Sequence, residues 1–180
     1  DTIDGGADTA QGDAIVVLNA DDEATDSNIN SVVRNATSED FTIGDNGSGQ
    51  VAIDYDGTGG ADITADNVED VHFILGDGGD TVTVTTSLSG TSISTSTISV
   101  DGGAGNDTVN ADAIDAAKPV SVVFEGGEGD DTFVSGAGND TFIGGEGGES
   151  AGDTIVIGDT YDISKFDFTS DATITTVDGT

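Results

Sequence analysis

The 180-residue chain has no cysteine, methionine or tryptophan, one proline, one histidine and only three basic residues, Arg34, Lys118 and Lys165. Each absence removes a class of function. Without cysteine there are no disulfides, no thiolate metal sites and no cysteine nucleophile. Three cations stand against 36 acidic residues, a formal net charge of -33. No basic patch exists to hold nucleic acid or an anionic lipid surface. No apolar run approaches the ~18 residues that a membrane-spanning helix needs. Asp1 opens the sequence with no signal-like segment, so the expectation is a processed product or part of something longer.

What is present is glycine (28 residues) and aspartate, 29 of them against 7 glutamates. Such charge at first suggests disorder. Yet 34% of residues are hydrophobic and fall in short alternating runs. An acidic surface that merely solvates would use both acids freely, whereas aspartate beside glycine is turn and metal-ligand chemistry.

The runs repeat. Residues 102–110 read GGAGNDTVN, 126–134 GGEGDDTFV and 135–143 SGAGNDTFI; 75–83 (LGDGGDTVT) and 144–157 (GGEGGESAGDTIVI) are looser copies. The unit is a glycine turn, then Asp-Thr, then an apolar residue two places after the Asp. It resembles the nonapeptide repeat of the repeats-in-toxin (RTX) family over residues 75–157. Toward the N-terminus, DYDGTGGADIT (54–64) keeps Asp62 but brings Ile63 one place early. GDNGSGQVAI (44–53) has Gln50 in place of the aspartate, so a site there is expected to be weak or missing. QGDAIVV (11–17) echoes AGDTIVI (151–157), which suggests one more degenerate turn; residues 18–41 and 158–180 show no convincing unit.

Asp62, Asp80, Asp107 and Asp131 are 18, 27 and 24 residues apart. A tandem pair of nonapeptides makes one coil in the RTX family, so 18 reads as a minimal coil and the longer spacings as coils with longer loops on the far side. Aligning the turns brings Ile53 and Tyr55, Val71 and Phe73, Ile98 and Val100, and Val122 and Phe124 into register before them. Val82, Val109, Phe133 and Ile155 follow them. Alternation at period 2 puts each set on one strand face. The expected fold is all-β: a parallel β-roll or β-solenoid, right-handed as the resemblance implies, with calcium-binding glycine-aspartate turns. One edge carries Asp62, Asp80, Asp107, Asp131 and then Asp153 or Glu149. The opposite edge carries the irregular stretches around 85–97 and 111–119 and the turn at Asp140. DAIDAAK (112–118), ended by Pro119, is at most a short helix. The chain divides into an N-terminal degenerate coil or cap (1–43), the calcium-binding roll (44–157) and a C-terminal strand or assembly segment (158–180).

Stacked strands lie ~4.8 Å apart, so a column of turn aspartates repeats at that spacing. Two bare carboxylates ~5 Å apart repel by about 3 kcal/mol at an effective dielectric of 20. Several such pairs rival a typical total stability of about 5–15 kcal/mol. Calcium relieves this by taking oxygens from carboxylates and from the carbonyls that glycine turns present; magnesium suits such turns less. The resemblance implies several Ca²⁺ ions between consecutive turns. Their ligands are Asp107, Asp131 and Asp140, then Asp80 and Asp153, and last Asp62. Gly102, Gly103, Gly105, Gly126, Gly127, Gly129, Gly136 and Gly138 form the turns. It also implies a chain that stays unfolded where calcium is scarce, leaves through a one-step exporter and folds outside.

Catalysis has little to work with, and no enzyme activity is expected. His72 sits at an outward strand position and lacks partners for a zinc site. Carboxylate pairs of glycosidase type are plentiful, but the acids lie in glycine turns and aromatics make up 5%. Thr81, Thr83 and Thr85 resemble the threonine rows of ice-binding solenoids, yet Thr-x-Thr does not recur coil after coil. The Ser/Thr-rich run 81–99 suits O-glycosylation, and Asn106 and Asn139 fit the N-glycosylation pattern but lie inside the turn motif.

Two functions remain. One is a structural subunit of a secreted bacterial cell-surface assembly (surface layer, extracellular filament or adhesin), self-associating into a lattice or filament, with cell-surface polysaccharide as a further partner class. The other is the calcium-dependent folding and export module of a type I-secreted enzyme or toxin. Loose spacing, Thr/Ser richness, scarce lysine and an ending, TTVDGT, without a recognisable secretion signal favour the first.

Overall fold

The alternating apolar runs are strands. A computed structural model describes residues 2–4, 14–18, 38, 40–55, 59–95, 97–117, 119–145, 147–157 and 173–176. In chain order the strands are β1 (Thr2–Asp4), β2 (Ala14–Leu18), β3 (Asp40–Asp45), β4 (Val51–Asp54), β5 (Ile63–Asp66), β6 (Asp70–Ile74), β7 (Thr81–Val84), β8 (Thr97–Ala104), β9 (Thr108–Asn110), β10 (Ser121–Glu128), β11 (Thr132–Val134), β12 (Thr141–Ile143), β13 (Thr154–Ile157) and β14 (Thr173–Thr176). Among the described residues the only helical pieces are two 3-10 segments, Leu88–Gly90 and Ser92–Thr95. Residues 112–117 form turns and loop rather than helix.

From β6 to β13 the described residues form a β-solenoid. It alternates between a five-stranded sheet, ordered β12-β10-β8-β6-β2, and a nine-stranded sheet, ordered β1-β5-β4-β3-β7-β9-β11-β13-β14. Four strand–turn–strand units, β6–β7, β8–β9, β10–β11 and β12–β13, stack in parallel. Val71, Ile98 and Val122 share one register position, and Phe73, Val100, Phe124 and Phe142 the next. In the facing sheet Val82, Val109, Phe133 and Ile155 are in register. These side chains are all buried, and their strand neighbours face outward, as period 2 requires. Phe142 stacks on Phe124 and Phe133, with ring centroids 5.3 and 5.9 Å away.

Unequal coil lengths are absorbed on one side. The segments 85–95 and 111–117 with 119–120 bulge at the edge opposite the glycine turns, and each contributes its own apolar plug, Leu88 and Ile93 from the first, Ile114 and Val120 from the second. Residues far apart in sequence thus enclose one continuous core.

The N-terminal part corrects the expected register. Strands β3, β4 and β5 are not roll coils but an antiparallel meander: β3 pairs with β4, and β4 with β5, while β3 joins β7 in parallel. Ile53 is buried in this meander within the nine-stranded sheet, and Tyr55 is exposed, so neither is equivalent to Val71 and Phe73. The motif at 44–50 closes a hairpin. Asp45 Oδ1 accepts the amides of Gly47 and Gly49, and Gln50 donates its side-chain amide to Asp66. Strand β2 carries the echo of 151–157, yet it pairs with β6 in the five-stranded sheet, whereas β13 lies in the other. Residues 11–13, where its turn was expected, lie outside the described residues.

Candidate metal-binding edge

Asp80, Asp107, Asp131 and Asp153 each stand one residue before β7, β9, β11 and β13, and all four are buried. The 27-, 24- and 22-residue spacings between them bring them into a single column. Asp107 Oδ1 accepts the amide of Asp80 (2.7 Å), Asp131 Oδ1 that of Asp107 (2.8 Å), and Asp153 Oδ1 that of Asp131 (2.9 Å). The backbone runs in step, with the amides of Thr108, Thr132 and Thr154 donating to the carbonyls of Asp80, Asp107 and Asp131. Each carboxylate therefore caps the turn of the preceding coil.

The second oxygens differ. Asp80 Oδ2 accepts the Gly76 amide at 3.2 Å. Asp107 Oδ2 and Asp131 Oδ2 are buried and have no hydrogen-bond partner. A Cβ at Gly102 would collide with both Asp107 Oδ2 and the carbonyl of Gly126 in the next turn. One coil on, a Cβ at Gly126 would collide with Asp131 Oδ2 and lie 2.7 Å from the carbonyl of Gly144. Carboxylate and carbonyl oxygens thus close on equivalent points in successive turns. Glycine makes this approach possible, and positive φ at Gly103 and Gly127 (95° and 104°) turns the backbone the same way in both.

Burial pushes the Asp107 carboxyl up to about 6, with the charges of Asp80 and Asp101 adding to it. Asp131 rises to about 7 through burial, aided by Asp107, Asp153 and Glu149. No lysine or arginine is among the described residues; Arg34, Lys118 and Lys165 all lie outside them. A buried carboxylate oxygen without a donor is costly, and a hard cation with oxygen ligands would satisfy it. The donor set fits calcium. Among the described residues no three acidic or histidine side chains converge on one point, so any cation here draws on turn carbonyls as well as carboxylates.

Two predicted ligands sit elsewhere. Asp62 is corrected out of the column: it ends the β4–β5 loop, where its carboxylate accepts the Tyr55 amide at 2.9 Å. Asp140 precedes β12 and therefore lies on the opposite edge, as expected from the tandem repeat, together with Gly136 and Gly138. Of Asp153 and Glu149, it is Asp153 that continues the column. His72 lies outward on β6 between buried Val71 and Phe73.

Sequence reasoning missed a second, outer ladder one residue before the column. Asn106 Oδ1 accepts the amide of Asp130. Asp130 Oδ1 in turn accepts the amides of Ser150, Ala151 and Gly152, each at 2.8 Å, and its Oδ2 takes the Ser150 hydroxyl. These donors, led by the Ser150 hydroxyl, hold the Asp130 carboxyl well below the usual range. The only sequence signal was the polar residue, Asn or Asp, ahead of Asp107, Asp131 and Asp140. Outside the column, Thr81, Thr108, Thr132 and Thr154 form one register row, but the next row reads Thr83, Asn110, Val134, Val156. No two-dimensional threonine array results.

Neither a family model, nor a curated protein, nor a solved structure matches this chain.

Proposed function

We propose that the chain is a calcium-binding structural β-roll of the RTX type, a subunit of a secreted bacterial cell-surface assembly in which calcium drives folding and association. The observation that carries this reading is the pair of orphaned, buried oxygens, Asp107 Oδ2 and Asp131 Oδ2, each facing a carbonyl of the next glycine turn. Calcium there offsets the burial and neighbouring charges that raise the proton affinity of Asp107 and Asp131. Association is supported by the ends of the stack. Among the described residues β12 and β14 each close a sheet with no strand beyond them, and unpaired edges favour pairing with another chain. A net charge of -33 would oppose that contact unless cations lay between subunits.

The test is a calcium titration followed by circular dichroism, sedimentation and negative-stain microscopy. The reading expects calcium at about millimolar concentration, the range of extracellular sites, to increase β structure and raise the unfolding midpoint, with ordered sheets or fibres to follow. Folding on calcium into a persistent monomer would shift the assignment to an export module. A chain whose β content and unfolding midpoint are the same in chelator and in calcium would remove the calcium argument.

A further inference from the structure

The two edges of the solenoid treat their aspartates differently, and the difference bears on where cations go. On the glycine-turn edge, Asp107 and Asp131 each spend one oxygen on the preceding coil and leave the other buried without a donor. On the opposite edge, Asp140 begins the same way, its Oδ1 accepting the Val122 amide at 2.9 Å. Its Oδ2, however, accepts the Ser135 hydroxyl at 2.8 Å, and both residues are 4% exposed. Ser135 stands where the other two close repeats have their first glycine, Gly102 and Gly126. At those positions a Cβ has no room beside the motif carboxylate; at 135 the side chain is present and fills the place with a donor.

The neighbour also differs. The turn 135–140 does not stack on another glycine turn but on the irregular stretch that holds Ala111, Ile114 and Val120. A Cβ on Gly136 would strike the Ala111 carbonyl, and one on Gly138 the Val120 carbonyl. The Ala137 amide donates to Ile114. The surroundings of Asp140 are therefore a packed loop and a hydroxyl.

From this we infer that cation binding is one-sided: it occupies the gaps carried by Asp107 and Asp131, while Ser135 closes the opposite edge on Asp140 without a cation. The inference rests on the calcium reading of the turn edge and departs from a simple transfer of the repeat pattern, which makes Asp140 an equal ligand. One edge then depends on calcium and the other is built in.

The experiment counts Ca²⁺ bound per full-length chain by equilibrium dialysis, comparing the parent chain with Asp107→Asn, Asp131→Asn and Asp140→Asn. Asparagine at 140 keeps an acceptor for Val122 and can still bond Ser135. The expected result is a loss of one ion, or at least a tenfold weakening, for each of the first two variants and an unchanged count for the third. Should Asp107→Asn or Asp131→Asn fail to fold, Asp140→Asn and Ser135→Ala still decide. Ser135→Ala is expected to keep the count and to lower the unfolding midpoint equally in calcium and in chelator. Loss of an ion from Asp140→Asn overturns the one-sided arrangement while leaving the calcium reading intact. A parent chain that binds no calcium overturns both.

Discussion

Asp131 Oδ1 accepts the backbone amide of Asp107 at 2.8 Å across 24 residues of sequence, and through that bond one coil caps the next. The same carboxyl carries an orphaned oxygen. A group that is both a hydrogen-bond acceptor and a buried charge responds in opposite ways to different substitutions. In chelator at about pH 8, Asp131→Asn should be more stable than the parent, because it removes the buried charge and keeps the acceptor. Asp131→Ala should be less stable by about 1–3 kcal/mol, since it strands the Asp107 amide. Urea denaturation resolves the two. Equal destabilisation by both would mean that the charge carries no penalty.

Burial lifts Asp107 from 3.8 to about 6 and Asp131 to about 7. Between the unfolded and folded values, the folded state holds more protons than the unfolded chain. Their contribution is therefore fully present below the ordinary carboxylate value and lost as pH rises through about 6 to 7. In chelator, the denaturant midpoint should be higher at about pH 5 than at about pH 8. With saturating calcium the order should reverse, because ligands must be deprotonated to bind. A chelator midpoint that climbs with pH would count against the buried column.

Asp130 is the opposite case. Its carboxyl is depressed by the Ser150 hydroxyl and the amides of residues 150–152, so its hold is present above the ordinary carboxylate value and lost only as pH falls below it. Asp130→Ala should speed hydrogen exchange at Ser150, Ala151 and Gly152 while leaving exchange within β10 and β11 unchanged. Uniformly faster exchange would mean that the clamp is part of the global fold.

Turn glycines should divide by conformation and space. Gly127 has φ 104°, and a Cβ there would strike the Gly103 carbonyl; Gly60 has no positive φ and open space around it. Gly127→Ala should cost at least about 1–3 kcal/mol, and Gly60→Ala close to nothing, by calorimetry. A tolerated alanine at 127 would show that successive turns are less closely stacked than described.

Much of the solenoid was legible because its information is local and repeated. Asp-Thr followed by an apolar residue marks each strand after a turn, and aligning those marks placed Val82, Val109, Phe133 and Ile155 in the register observed. The long coil spacings correctly placed the irregular stretches after β7 and after β9 on the far edge. The same reasoning misplaced Asp62, because glycine-aspartate turns close hairpins as readily as roll coils. Only strand partners distinguish the two, and β4 found β3 and β5.

The sequence by itself determined the alternation, the turns and the column from Asp80 through Asp107 to Asp131, since period 2 and glycine chemistry act between near neighbours. The tertiary structure decided which carboxylate oxygens are spent. Asp140 meets Ser135 within its own turn, whereas stacking brings the carbonyls of Gly126 and Gly144, which cannot donate, toward the places where Asp107 and Asp131 keep a bare oxygen.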